Sequence, residues 1–504
     1  MLQTLFLSIL LTIPARPGDA QSVSCELVVR PLKRHNIGSK IQSVFETTWN
    51  QTKLFSYSGP SNLNFGSSSG SATAAINIQE NTVYQQMDGF GASLTDSAAY
   101  VLKLLKQNDS SSYSSLLSMM FNPKDGANSA GISFIRIPLG SSDLSLSAYS
   151  YDDVASQDPN MQSFTLDTLP SIVLEVVCDI QLINPYVKYY FVPWSPPGWM
   201  KDSNSLLGGS FQSAFTDAYA KYLFRSIMAW QAKGIPPFYI SIQNEPLYNN
   251  PTYPTALISA NDSAQIAIRL RKLLDGQGFT SVKILGYEDN WDSLDYANSV
   301  LSTGSSAYSG VAFHCYAGDP SIMSQMQESW PNTWIYQTEC ASTTGTDWWS
   351  DIKWQTERIW IGSPNYYSRT AAMWSLAGDP SGGPLLPGTN SCGQGCRAMV
   401  SIVGSNYTLN QEFYGLAHAN KAVLPVDAGG PTGERIQSSI TGSNAGSLLA
   451  TTYRIRRSKA GNPTRYTMVV LNSADSGPNP GPITCDIQFR GKHLTYPFPV
   501  GLTT

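Results

Sequence analysis

Charge is scarce in this sequence. Only 13% of its 504 residues are Asp, Glu, Lys or Arg, there are four histidines, and the net charge is −4. With no dense Lys/Arg run, the chain lacks the electrostatic footprint of a nucleic-acid or anionic-membrane partner. No internal stretch reads as a membrane span, and no repeat or coiled-coil period recurs. The histidines and cysteines form no cluster with the spacing of a zinc site. Seven cysteines, Cys25, Cys178, Cys315, Cys340, Cys392, Cys396 and Cys485, are an odd number, so at least one is unpaired and disulfides do not build the fold.

Hydrophobic residues make up 42%, enough for a large core and more than one domain. Serine, glycine, tyrosine and tryptophan are abundant, a profile that suits a secreted, carbohydrate-handling protein. Residues 1–13 are apolar but too short to cross a bilayer, and a Pro/Gly-containing stretch leads to a small residue at Ala20. They are expected to be a secretory signal peptide spanning 1–20; the competing reading is a buried terminal element. Sequons at Asn50, Asn108, Asn261 and Asn406 fit that route as glycosylation candidates. In a secreted chain, Cys392-Gly-Gln-Gly-Cys396, set in a Gly/Pro-rich loop, is the best disulfide candidate. Cys315 and Cys340 end adjacent strand-like runs and read as buried thiols.

Texture divides the rest. Residues 21–85 alternate short β-like runs with Ser/Gly/Asn turns. Eight β-like runs follow, at 86–92, 134–140, 189–194, 239–244, 282–287, 311–316, 334–338 and 370–376, most of them separated by stretches that can hold a helix. Val101, Leu104 and Leu105 give one apolar helical face within 97–120, and Ile266, Leu270, Leu273 and Leu274 another. Eight strand–helix units in roughly 250–300 residues predict a (β/α)8 barrel over 86–405. The tail, 406–504, has one helical stretch and then turns β-rich, so the two flanking segments are expected to pair into a side β-sandwich.

Chemistry concentrates at two strand ends. Ile242-Gln-Asn-Glu-Pro246 and Tyr336-Gln-Thr-Glu-Cys340 each close a β-rich run with a glutamate, roughly ninety residues apart. A side chain at a barrel strand's C-terminal end points into the mouth. Two carboxylates delivered there are what glycosidic cleavage needs: one to protonate the leaving oxygen, one to attack or stabilise the anomeric carbon. Glu245 reads as the acid, its proton affinity raised by a partly apolar mouth and a neighbouring carboxylate, and Glu339 as the ionised nucleophile, oriented by His314 and Tyr316. Asn244 can bond a sugar hydroxyl. Arg136, inside an apolar strand, must be paired; it is expected to hold a mouth carboxylate in its charged form or else to form a structural ion pair elsewhere in the barrel. Trp194 is favoured over Trp199 as a sugar-stacking ring because it sits at the strand end. Two other patterns carry little. Gly89-Phe-Gly91 lacks the third glycine of a dinucleotide fingerprint, leaving a tight turn with Thr95 or Asp96 as helix cap. Gly66-Ser-Ser-Ser-Gly70 copies a serine-hydrolase elbow without its strand–turn–helix setting.

Taken together, Gly89-Phe-Gly-Ala-Ser-Leu-Thr-Asp-Ser97, Arg136-Ile-Pro, Trp194-Ser-Pro-Pro-Gly-Trp-Met-Lys201, Gln243-Asn-Glu-Pro246, His314-Cys-Tyr316, Thr338-Glu-Cys340 and Trp374-Ser-Leu resemble glycoside hydrolase family 30. The resemblance implies a (β/α)8 barrel carrying a β-sandwich from both termini, and a retaining mechanism with Glu245 as acid/base and Glu339 as nucleophile. It implies a sugar subsite lined by Asp143, Trp194, Asn244, His314, Tyr316 and Trp374. The loop 384–396 looks like the fungal secreted endo-β-1,6-glucanase branch. Against the family pattern, the chain stops at Phe498-Pro-Val-Gly-Leu-Thr-Thr504, where a final aromatic strand is expected to follow. The expected protein is a secreted monomer acting on cell-wall β-glucan without metal or organic cofactor. β-1,6-Galactanase, xylanase, glucosylceramidase-type hydrolase and a non-catalytic polysaccharide-binding protein are the alternatives.

Overall fold

Near-continuous apolar runs, buried on both faces, are what make the central strands barrel strands. The computed structural model describes residues 40–58, 63–68, 70–393, 395–476 and 480–504; the expected signal peptide and Cys25 lie outside the described residues. Eight parallel strands close into a barrel: β1 (Gly89–Ser93), β2 (Phe134–Leu139), β3 (Lys188–Pro193), β4 (Pro237–Ser241), β5 (Lys283–Trp291), β6 (Gly310–Gly318), β7 (Trp334–Glu339) and β8 (Ser368–Met373). One set of alternate residues, including Ile135, Ile137, Phe191, Ile240, Ile284, Val311 and Phe313, packs outward on the helices. The other fills the interior. Phe134, Tyr190, Tyr239 and Tyr336 form an aromatic layer there, below Arg136, Ser241, His314 and Thr338 one pleat further along. At the opposite, N-terminal end, Asp88 is ringed by Lys188 at 2.5 Å, Arg369 at 2.9 Å and the Tyr239 hydroxyl at 2.7 Å. These partners outweigh burial and hold its carboxyl down at about 2.

The apolar face over 97–120 is not one helix. It is two, Asp96–Asn108 and Ser110–Phe121, because the Asp109 carboxylate takes the backbone N–H groups of Ser111 and Ser112 and restarts the turn. Thr95 is the cap of the first, accepting from Ala98 N–H at 3.0 Å.

A nine-stranded sheet carries strands from both ends of the chain. The strand Ala74–Gln86 lies between Glu434–Gly442 and Ile483–Phe489, and Gly501–Thr503 is an inner strand between Val44–Thr48 and Arg465–Asn472. The sheet curls so that Ile487, Leu494 and Phe498 from one end share a second core with Leu448, Val470 and Ile76. Helix Gln411–Val423 packs on β1: Asn420 Oδ1 accepts from Phe90 N–H at 3.2 Å. Among the described residues no helix is long and apolar enough to cross a membrane. Asn50, Asn108, Asn261 and Asn406 are all exposed.

Cys315 and Cys340, expected as thiols, are joined by a disulfide with Cα atoms 5.2 Å apart. Cys315 lies within β6 and Cys340 just past the end of the neighbouring parallel β7; adjacency was legible while the shared side-chain direction needed for bonding was not. Cys392 and Cys396 form a second disulfide.

Candidate active site

The barrel mouth is shaped by two interruptions of strand pairing. In β5 the register against β6 slips between Tyr287 and Asp289, leaving Glu288 as an extra residue with φ +60°. In β7 it slips between Gln337 and Glu339. Both slips break the alternation, and both turn a glutamate into the site. Glu245, immediately after Asn244, is held with φ +44° by its N–H, which donates to the Glu288 carbonyl at 2.9 Å. Such left-handed conformations in non-glycine residues are costly and collect at functional sites.

The side chains then converge. Glu339 Oε2 accepts from Arg136 at 2.6 Å and its Oε1 from the Tyr316 hydroxyl at 2.8 Å. His314 Nδ1 lies 3.0 Å from Glu245 Oε1 and 4.0 Å from Glu339 Oε1. One ligand-type atom each from Glu245, His314 and Glu339 fall within 4.8 Å of one another, which puts oxygens of the two glutamates that close together. This triad has the donors a metal ion would want. However, burial alone would pull the imidazole down, and Glu339, Glu245 and Glu288 overcome it to push His314 up to about 10. At neutral pH His314 is then held as a cation, bonded between Glu245 and Glu288.

Arg136 is fully buried and also donates to Asn244 Oδ1 at 2.6 Å. Its guanidinium lies 4.7 Å from the Trp194 ring centre, and Trp194 stacks on Trp374 at 4.8 Å. Trp194 and Trp374 are each only 2% exposed, whereas Tyr316 is 46% exposed. Trp199 is away from this cluster, edge-on to Phe215 with its indole N–H on Asp152. Asp143 follows β2. Its Oδ2 accepts from Ser391 at 2.6 Å and its backbone oxygen from Leu386 N–H at 2.8 Å, which ties the loop carrying the Cys392–Cys396 disulfide to the mouth. Burial, with Glu339 and Glu245 adding, pushes Asp143 up to about 7 against the Ser391 hydrogen bond.

So Glu245, Glu339, Asn244, His314, Tyr316, Arg136, Trp194, Trp374 and Asp143 meet in one region. Sequence reading missed Glu288, which no strand-end motif marks. It also missed Tyr253, a buried tyrosine pushed up by burial and by Asp143 and Glu245 nearby.

An eight-stranded parallel barrel presenting two glutamates at its C-terminal face defines an O-glycosyl hydrolase of the barrel type. The chain belongs to glycosyl hydrolase family 30: the model of that family's TIM-barrel domain matches residues 87–421. It is 31% identical over 388 residues to an endo-1,6-beta-D-glucanase of Neurospora crassa, covering 73% of this chain and 77% of that protein. It is 30% identical over 361 residues to an endo-1,6-beta-D-glucanase of Trichoderma harzianum, covering 68% and 70%. A solved endo-beta1,6-glucanase shares the fold with a TM-score of 0.78 at 24% identity, over 92% of this chain and 97% of that one.

Proposed function

We propose that this hydrolase is a secreted, retaining endo-β-1,6-glucanase acting on cell-wall β-glucan. The observation that carries the mechanism is the approach of Glu245 and Glu339 oxygens within 4.8 Å. That suits the close carboxyl pair of a retaining enzyme, ~5–5.5 Å, and is too short to seat the water of an inverting one. Glu339 attacks the anomeric carbon as Glu245 protonates the departing oxygen. Glu245 then takes a proton from water, which attacks the glycosyl ester and frees Glu339. Tyr316 and Arg136, donating to the two Glu339 oxygens, orient it for in-line attack. Asp143, Asn244 and the Trp194–Trp374 pair line the proposed sugar subsite.

Similarity to the two fungal enzymes supports the β-1,6 linkage and endo action. Exposed sequon asparagines and the two disulfides support secretion.

The test is a proton NMR time course on linear β-1,6-glucan. The expected first products are β-anomeric oligosaccharides of mixed length, and Glu339→Gln should release none while still binding glucan. Early α-anomers would exclude retention. An inert wild type would move the assignment to β-1,6-galactan, xylan or a glucolipid.

A further inference from the structure

Glu288 is a charged side chain enclosed in the barrel interior beneath the two reacting glutamates. It is fully buried, and every oxygen is spoken for. Its Oε1 accepts from Arg136 at 2.9 Å and Thr338 Oγ1 at 2.8 Å, with His314 Nε2 at 3.4 Å; its Oε2 accepts from Ser241 Oγ at 2.7 Å and from the Tyr190 hydroxyl. The two cations it meets each continue to a different glutamate: His314 to Glu245, Arg136 to Glu339. We infer that Glu288 is a positioning residue for hydrolysis, the centre of a buried relay Glu245–His314–Glu288–Arg136–Glu339 that fixes the spacing and charge of the two reacting carboxylates. This rests on the proposed roles of Glu245 and Glu339.

Three observations carry it. First, Glu288 reaches this point only because the β5 bulge spends an extra residue in a left-handed conformation, a local cost that a stabilising ion pair does not require. Second, the same residue's carbonyl accepts the Glu245 N–H, so the backbone and side chain of Glu288 set opposite sides of the site. Third, apolar residues of similar volume would fill a barrel interior at equal or lower free energy, so a buried charge network here serves orientation better than stability. Burial would raise the Glu288 carboxyl; Arg136, His314 and Ser241 overcome it and hold it at about 2, so its charge persists over the working range.

The charge predicts a signature that a purely structural role lacks. The ionisable groups facing Glu288 are Arg136 on β2, Tyr190 on β3, His314 on β6 and, one group further out, Glu245, Glu339 and Tyr316; Asp289 adjoins it in sequence. Removing one buried negative charge makes proton loss easier for each of them. Purified Glu288→Gln and Glu288→Asp are compared with wild type by pH profiles of kcat/KM on linear β-1,6-glucan. For Glu288→Gln, both limbs are expected to move to lower pH by about one unit, with kcat down ~10²-fold and KM little changed. Glu288→Asp keeps the charge but shortens the reach, so its limbs stay in place while kcat falls. If Glu288→Gln fails to fold, Glu288→Asp carries the test, and a wild-type kcat in it overturns the inference. So does a folded Glu288→Gln whose limbs coincide with those of wild type. The parallel Glu339→Gln control separates the two claims: activity there defeats the catalytic assignment, whatever Glu288 does.

Discussion

Asp143 shows how one residue's surroundings set its chemistry. Enclosed with two other carboxyl groups, it is pushed up to about 7, so it is protonated in mildly acidic solution and can donate to a sugar hydroxyl. Asparagine copies the protonated acid but cannot ionise. Asp143→Asn should therefore have a KM at pH 5 within about threefold of wild type, the worth of one hydrogen bond. Above pH 7 wild-type Asp143 becomes an anion beside Glu245 and Glu339, and its KM should change while that of the variant stays flat. KM values from pH 5 to 8 decide it; parallel curves for the two proteins would rule out titration of Asp143 in this range. At this scale the sequence was legible wherever a residue's type clashed with its neighbours. Arg136 in an apolar strand had to find anions, and it lies on Glu339 and Glu288. Glu288 itself gave no such signal, since Tyr-Glu-Asp-Asn at a strand end reads as an ordinary polar exit.

Elements explain that gap. Alternation identifies strand faces only while the register holds, and β5 and β7 both slip where they reach the mouth. The most informative glutamates thus occupy the positions where period-2 reading fails. The Cys315–Cys340 disulfide ties β6 to the end of β7, one residue from Tyr316 on β6 and one from Glu339 on β7. Closing a loop of that separation, 25 residues, restricts the unfolded chain by about 3 kcal/mol. It also fixes the two strand ends whose side chains meet at 2.8 Å. The double variant Cys315→Ala/Cys340→Ala should accordingly lose about 3 kcal/mol in urea unfolding. Its kcat should fall more than its KM rises, because the Tyr316–Glu339 contact loosens. A variant with lowered stability and an unaltered kcat would show that the disulfide braces the barrel without guiding Glu339.

The whole molecule depends on pairings that no local pattern reveals. Strand Ala74–Gln86 pairs with Glu434–Gly442 although the whole barrel sequence lies between them, and Gly501–Thr503 slots inside the sheet, so the terminal segments were legible as β-rich but not in their order. His418, on helix Gln411–Val423, joins barrel and sheet: its ring nitrogens lie 2.9 Å from Thr47 Oγ1 and 2.8 Å from Thr504 Oγ1. Burial with only neutral partners pulls it down to about 3. The unfolded chain, whose histidine titrates near 6.5, takes up a proton on acidification that the folded chain refuses. Stability is then complete above about pH 6.5 and declines toward pH 3, by about 1.4 kcal/mol per unit for this one proton. Asp88 and Glu288, held near 2, add the same sign below about pH 4.5, because their ordinary values lie higher. Asp143, raised to about 7, carries the opposite sign, because below pH 7 the folded chain holds a proton there that the unfolded chain lacks. His418 is therefore read by difference, and wild-type minus His418→Gln unfolding free energies at pH 7, 6, 5 and 4 should fall with a one-proton slope. His418→Gln, which keeps polar contacts without a titratable ring, removes only the His418 contribution and leaves those of Asp143, Asp88 and Glu288 in place. A difference between the two proteins that stays level between pH 6.5 and 4.5 would mean that His418 is protonated in the folded protein and that the junction between barrel and sheet carries a charge.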